Sequence, residues 1–259
     1  MKIAISGKGG VGKTTLAATI AYVLSQEGSK VIAIDADPVA NLAASLGFPD
    51  ASRIVPISQM KDLIKERTGA TSEEYGKFFK LNPKVSDLPE KLSYERNNLK
   101  LMILGGIKRG GGGCACPENV FLRTLLSHLI LQRDEVVVVD MEAGVEHLGR
   151  ATVQAVNAMI VVVEPGMRSI QAAHQVQKLS NEIGIKSIFA VGNKVGGKSH
   201  RDFLEKELVG IPLLGFISYN EKIAEADLAG RAAFEGNELL ISEVKQIIER
   251  LQKEVRWKK

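Results

Sequence analysis

A chain of 259 residues, 45% of them hydrophobic and 25% charged, has ample material for a sizeable core. Its 34 Lys and Arg against 30 Asp and Glu leave a net charge of +4 without long basic runs, which argues against a dedicated nucleic-acid binder. No apolar run is long enough to span a bilayer, so no membrane role is expected, and the N-terminus reads as a core strand rather than a signal peptide. The expected location is cytoplasmic, with both cysteines reduced. No Pro/Ser/Gly linker divides the sequence, so residues 1–259 are expected to form one domain.

The first predicted element is a strand over Ile3 to Ile5, followed by Gly7-Lys8-Gly9-Gly10-Val11-Gly12-Lys13-Thr14-Thr15 and a helical spacing of apolar residues from Leu16 to Leu24. Strand, glycine-rich loop and helix are the context of a phosphate-binding loop. The glycines let backbone N–H groups turn toward a phosphate, and the helix N-terminus adds a favourable dipole. Gly9, Gly10, Val11, Gly12 and Thr15 form the cradle. Lys13 is expected to reach the β- and γ-phosphates, with the Thr14 hydroxyl on Mg2+. Lys8 is a second lysine that such a loop does not need for the nucleotide in its own subunit.

A buried strand over Lys30 to Ile34 then runs into Asp35-Ala36-Asp37-Pro38. Carboxylates at the carboxyl end of a parallel strand lie where α/β sheets bind ligands. The same acids would also cap a helix starting near Val39, with Pro38 at its first position. Residues 48 to 98 are harder to read: Ile57 to Arg67 has helical spacing with Gly69 as a stop, and Asn82-Pro83 and Leu88-Pro89 read as turns. The section is too long for a plain connection and is expected to be an excursion beside the nucleotide site.

Leu99 to Leu104 is a further strand, followed by a glycine run that leads into Cys114-Ala115-Cys116-Pro117 and a helix starting near Pro117. Thiols at a helix N-terminus have lowered pKa values, and two thiolates make half of a tetrahedral sulfur site for zinc, nickel, copper(I) or an iron–sulfur cluster. A twofold-related copy of the loop would supply the other half; two free cysteines are the alternative. The strand Glu135 to Val139 ends in Asp140, placed to hold Mg2+ through water, and Gly144 four residues on is placed to offer an N–H to a γ-phosphate.

Ala158 to Val163 and Ile188 to Val191 are buried strands; the second ends in Gly192-Asn193-Lys194, where Asn193 can read a base edge. Gly196 stands where the GTPase continuation N-K-x-D would have its Asp, which favours ATP over GTP. The last strand, Leu213 to Ile217, is followed by Ser218-Tyr219-Asn220 beside the base. A final helix over Leu239 to Val255 carries Leu240, Val244, Ile247, Ile248 and Leu251 on one face, a core-packing pattern. Alternating strands and helices predict an α/β fold with a doubly wound, mostly parallel sheet flanked by helices.

The loop G-K-G-G-V-G-K-T-T resembles the deviant Walker A loop of the MinD/ParA and nitrogenase-iron-protein superfamily. That resemblance implies a P-loop NTPase in which Lys8 crosses a homodimer interface to the partner's nucleotide. The run D-A-D-P-V-A-N-L resembles the superfamily's switch I, implying that Asp37 positions or activates the attacking water and that Asp35 lies near the Mg2+ shell; the superfamily resemblance also implies that Asn193, in Gly192-Asn193-Lys194, meets the adenine amino group. With the C-x-C arm and the run Asp140-Met141-Glu142-Ala143-Gly144-Val145-Glu146-His147-Leu148, the sequence is similar to the CooC-type accessory ATPases. This implies hydrolysis of ATP to ADP, Cys114 and Cys116 as ligands for Ni2+ or Zn2+ at the dimer interface, and delivery to an apo nickel enzyme, carbon monoxide dehydrogenase or acetyl-CoA synthase. A positioning ATPase of the MinD/ParA kind, without metal, and an electron donor with a bridging iron–sulfur cluster are the rival readings.

Overall fold

The computed structural model describes residues 1–70, 79–106, 116–142 and 155–255. Eight strands form one sheet: β1 (Lys2–Gly7), β2 (Val31–Ala36), β3 (Tyr94–Arg96), β4 (Leu99–Ile103), β5 (Val136–Met141), β6 (Ala158–Val163), β7 (Ile188–Val195) and β8 (Leu213–Ser218). Their order is β3-β4-β2-β5-β1-β6-β7-β8. Only β3 is antiparallel, pairing with β4 at one rim; the other described pairs are parallel. The central strands read as unbroken apolar runs because both faces are covered. Ile3, Ile5 and Val138 face one core layer, Ala4, Val137 and Val139 the other.

The first layer is closed by α1 (Lys13–Gln26), α2 (Leu42–Ser45) and the final helix α9 (Glu238–Glu254). The five apolar residues of α9 named above are each at most 2% exposed and pack into this layer. The second layer holds α3 (Lys61–Thr68), α4 (Leu88–Leu92), α5 (Pro117–Gln132), α6 (Met167–Ile183) and α7 (Lys198–Glu207). A short α8 (Glu221–Leu228) follows β8. No described helix is long and apolar enough to cross a membrane.

The doubly wound expectation holds. Strand order reverses beside β1, since β2 and β5 lie on one side of it and β6 on the other. Such a reversal opens a crevice at the carboxyl edge of the sheet, where ligands bind. The expected excursion of residues 48–98 packs Ile57, Ile64, Val85 and Leu88 into the layer that holds Phe121 and Leu122. Its Ser58 and Pro56 pack against Gly105, and the Ser58 N–H donates to the Leu104 carbonyl at 3.0 Å, so it flanks the carboxyl end of β4.

The helix expected near Val39 starts later, at Leu42. Asp37 Oδ1 accepts the Val39 N–H at 2.9 Å and Asp35 Oδ2 accepts the Leu42 N–H at 2.9 Å, so side chains hold residues 37–41 in a turn instead.

Candidate nucleotide site

β1 delivers the chain to Gly7, where φ is +144° and an added Cβ would lie 2.5 Å from the Val162 carbonyl of β6. Gly10 and Gly12 take the left-handed φ values of +78° and +94°. Gly12 is the N-cap of α1 and carries no side chain to cap it, so the first N–H groups of the helix remain open to an anion. Val11 is fully buried and pins the middle of the loop to the core. Lys13 is 8% exposed, and its Nζ donates to the Lys8 carbonyl at 3.4 Å. A neutral carbonyl at that distance is a weak partner beside a phosphate oxygen.

Two residues of β7 hold the loop from the side. Asn193 Nδ2 donates to the Val11 carbonyl at 2.7 Å, while its Oδ1 accepts the Lys194 N–H at 2.9 Å. Lys194 Nζ donates to the Gly10 carbonyl at 2.7 Å. Lys194 has the left-handed φ of +57° and lies where the β7–β8 register shifts, an irregularity that re-aims its side chain. It also pairs with Glu164 at 3.3 Å, and Glu164 faces Lys8 at 3.9 Å. Asn193 was expected at the base; its amide donates to the loop, and the residue also lines the cavity beside the loop. Lys194 and Glu164 went unassigned in the sequence, although Glu164 directly follows a buried strand, the signal that marked Asp35 and Asp140.

The register pairs Asp35 with Asp140 across β2 and β5. Asp35 is fully buried and accepts the N–H groups of Leu42 and Asp37 at 2.9 and 3.1 Å. Burial pushes its carboxyl up to about 6 against the pull of those bonds. Asp140 is 1% exposed, and neither carboxylate oxygen has a hydrogen-bond partner among the described residues. Burial pushes it up to about 7; the nearby Thr14 hydroxyl and Lys13 pull it back, while Asp35 and Asp37 add to the rise. A buried carboxylate left without partners is costly unless a ligand completes it. With the Thr14 hydroxyl beside them, its oxygens suit Mg2+: Thr14 would ligate the ion and Asp140 would hold it directly or through water. Asp37 is half-buried at the rim, tied through Oδ1 to Val39.

A cavity of about 480 Å³ adjoins the loop, lined by Gly12, Thr15, Asn193, Tyr219, Asn220 and Asp227 among others. It meets α1 where a nucleoside attached to a loop-bound phosphate would extend. Tyr219 and Asn220, expected beside the base, line it. Cys116 is the N-cap residue of α5, half-buried and free, and its carbonyl accepts the Val120 N–H at 3.1 Å. Cys114 and Gly144 lie outside the described residues.

Residues 2–233 match the CobQ/CobB/MinD/ParA nucleotide binding domain. The chain is 45% identical over 237 residues to the carbon monoxide dehydrogenase accessory protein CooC of Rhodospirillum rubrum, covering 91% of this chain and 90% of that one. It is 46% identical over 234 residues to an uncharacterized ATP-binding protein of Methanocaldococcus jannaschii, covering 89% and 90%. Among solved structures, a plasmid partition protein of Borrelia burgdorferi bound to AMPPNP superposes with a TM-score of 0.71 at 18% identity, covering 98% of both chains. MinD of Aquifex aeolicus superposes with a TM-score of 0.67 at 21% identity, covering 100% of this chain and 98% of that one. These two show a shared fold. The chain thus belongs to the CobQ/CobB/MinD/ParA nucleotide-binding family, as a CooC-type P-loop ATPase of the MinD/ParA superfamily.

Proposed function

We propose that this ATPase is a cytoplasmic nickel chaperone that assists nickel insertion into a carbon monoxide dehydrogenase or acetyl-CoA synthase. The observation that carries the reading is the near full-length similarity to a carbon monoxide dehydrogenase accessory protein in a chain whose two cysteines form one C-x-C pair in sequence, just ahead of Pro117. Nickel is the cargo. Cys114 and Cys116 of each subunit would supply two thiolates, and two subunits a four-sulfur site that also accepts zinc.

In this reading the loop N–H groups and Lys13 hold the phosphates of ATP, Asp37 orients the attacking water in line, and Gly144 senses the γ-phosphate. Lys8 reaches the nucleotide of the second subunit, so ATP favours a closed homodimer. Mg2+, when bound, supplies charge neutralisation at the phosphates. Asn193 lines the cavity that the adenine would enter.

Metal content decides the case. Wild-type protein purified under reducing conditions is expected to bind nickel or zinc at about one ion per dimer, the stoichiometry of a four-thiolate site. The variant with Cys114→Ala and Cys116→Ala is expected to bind none and to fail to activate an apo carbon monoxide dehydrogenase with nickel. Equal metal content in both proteins would overturn the chaperone reading in favour of a positioning ATPase without metal. Nucleotide that changes neither the dimer fraction nor the metal affinity would overturn the coupling.

A further inference from the structure

Glu164 stands at the carboxyl end of β6 with its backbone N–H donating to Ser169 Oγ at 3.0 Å, a hydroxyl that is itself buried. From that anchored position its carboxylate faces two lysines. Oε2 lies 3.3 Å from Lys194 Nζ, and Oε1 lies 3.9 Å from Lys8 Nζ. Lys194 cannot follow a moving partner, because its ammonium is also bound to the Gly10 carbonyl at 2.7 Å. Lys8 is bound to nothing else among the described contacts, and its side chain is 41% exposed. One carboxylate thus joins a fixed lysine to a free one.

We propose that Glu164 is a positioning residue for Lys8, holding it against its own subunit until the nucleotide of a second copy competes for it. The proposal rests on Lys8 acting across the dimer interface. An ammonium that must leave a carboxylate before it reaches a triphosphate adds a threshold to dimer closure. The pair is long and half-exposed, so the threshold is low: pairs of this kind change an equilibrium by a few-fold. A triphosphate carries more charge than one carboxylate and presents it at closer range, so it wins the exchange when a second nucleotide-loaded subunit arrives. Lys13 sits in a comparable way on the Lys8 carbonyl. Both loop lysines therefore rest on weak partners of their own subunit that phosphate oxygens replace.

The test is the dimer dissociation constant in AMPPNP and Mg2+, measured by sedimentation for wild type, Glu164→Gln, Lys8→Met, the double variant and Lys194→Met. Glu164→Gln keeps the size and one acceptor oxygen and removes the charge. It is expected to tighten the dimer about two- to five-fold. The same substitution on the Lys8→Met background is expected to change nothing, and Lys194→Met is not expected to reproduce the gain. Glu164→Ala, which removes the reach as well, is expected to act in the same direction as Gln.

An unchanged or weaker dimer for Glu164→Gln overturns the proposal, as does an equal gain without Lys8. A gain reproduced by Lys194→Met overturns it too, since the effect would then run through the loop brace. Failure of the underlying reading has a separate signature: Lys8→Met would dimerise like wild type.

Discussion

The ends of β2 and β5 make an instructive pair, since each offers one buried aspartate at matching register. Asp35 is consumed by the fold. Its oxygens take the N–H groups of Asp37 and Leu42, and the turn that carries Asp37 is built on it. Asp140 is as deeply buried and has no hydrogen-bond partner among the described residues. Two residues of the same type at neighbouring strand ends therefore stand differently: one organises the loop that carries Asp37, and the other keeps oxygens that the described residues do not satisfy. Burial alone does not separate them; hydrogen-bond satisfaction does.

Substitution should widen this difference. Asp140→Ala is expected to lower Mg2+-dependent ATP turnover by roughly two to three orders of magnitude, measured as phosphate release under saturating ATP. Asp37→Asn is expected to lower kcat by about 100-fold with KM changed far less, because it removes a group that orients water and leaves the phosphate contacts intact. An Asp35→Asn variant that loses activity as severely as Asp140→Ala would erase the distinction between the two carboxylates.

Acidity provides the next test. The carboxyls of Asp35 and Asp140 are raised from 3.8 to about 6 and about 7, so the fold favours their protonated forms. The stability this contributes is complete below pH about 4 and is lost as pH rises through 6 and then 7. Mg2+ needs the ionised form of Asp140. Affinity for Mg2+ in the nucleotide complex is expected to rise about ten-fold per pH unit below 7 and to level off above it, with proton uptake by the buffer seen in calorimetry. A flat profile would refute the assignment.

Smaller effects fall on the fold itself, and here the two positions should differ in sign. Asp35→Asn loses an acceptor for one buried N–H and is expected to cost about 1–3 kcal/mol. Asp140→Asn removes a buried charge whose oxygens meet no hydrogen-bond criterion among the described residues and whose burial outweighs the pull of Thr14 and Lys13, so the nucleotide-free protein is expected to melt a few degrees higher at pH 8, at roughly 2–4 °C per kcal/mol. Thermal denaturation at pH 5 and pH 8 checks both, since the Asp140→Asn gain is expected to shrink at the lower pH.

Much of this architecture was legible in the chain because parallel strands covered on both faces need apolar runs, and the runs were there. Ala158–Val163 matches its predicted bounds, while β2 runs on through Asp35 to Ala36 and β7 to Val195, polar or irregular ends that apolar patterning does not mark. The edge strand Tyr94–Arg96 is three exposed residues with no alternation, so periodicity had nothing to detect. The helix after Pro38 was misplaced because two side chains compete with the backbone for its first N–H groups. At the candidate site, spacing marked the loop, Asp35, Asp140 and Asn193, which the fold brings to the carboxyl edge of the sheet. It could not find Lys194 or Glu164, whose roles come from the lateral order of β1, β6 and β7, a property of pairing rather than of neighbouring letters.

The bonds from Asn193 and Lys194 to the loop have a mechanical consequence. They stitch the phosphate cradle to the flank of the sheet that ends in β8, whereas Asp35 and Asp140 belong to the opposite flank. A bound triphosphate would therefore bridge a seam down the middle of the molecule, gripped from the right and read from the left. Shear between the flanks would be felt at the phosphates first.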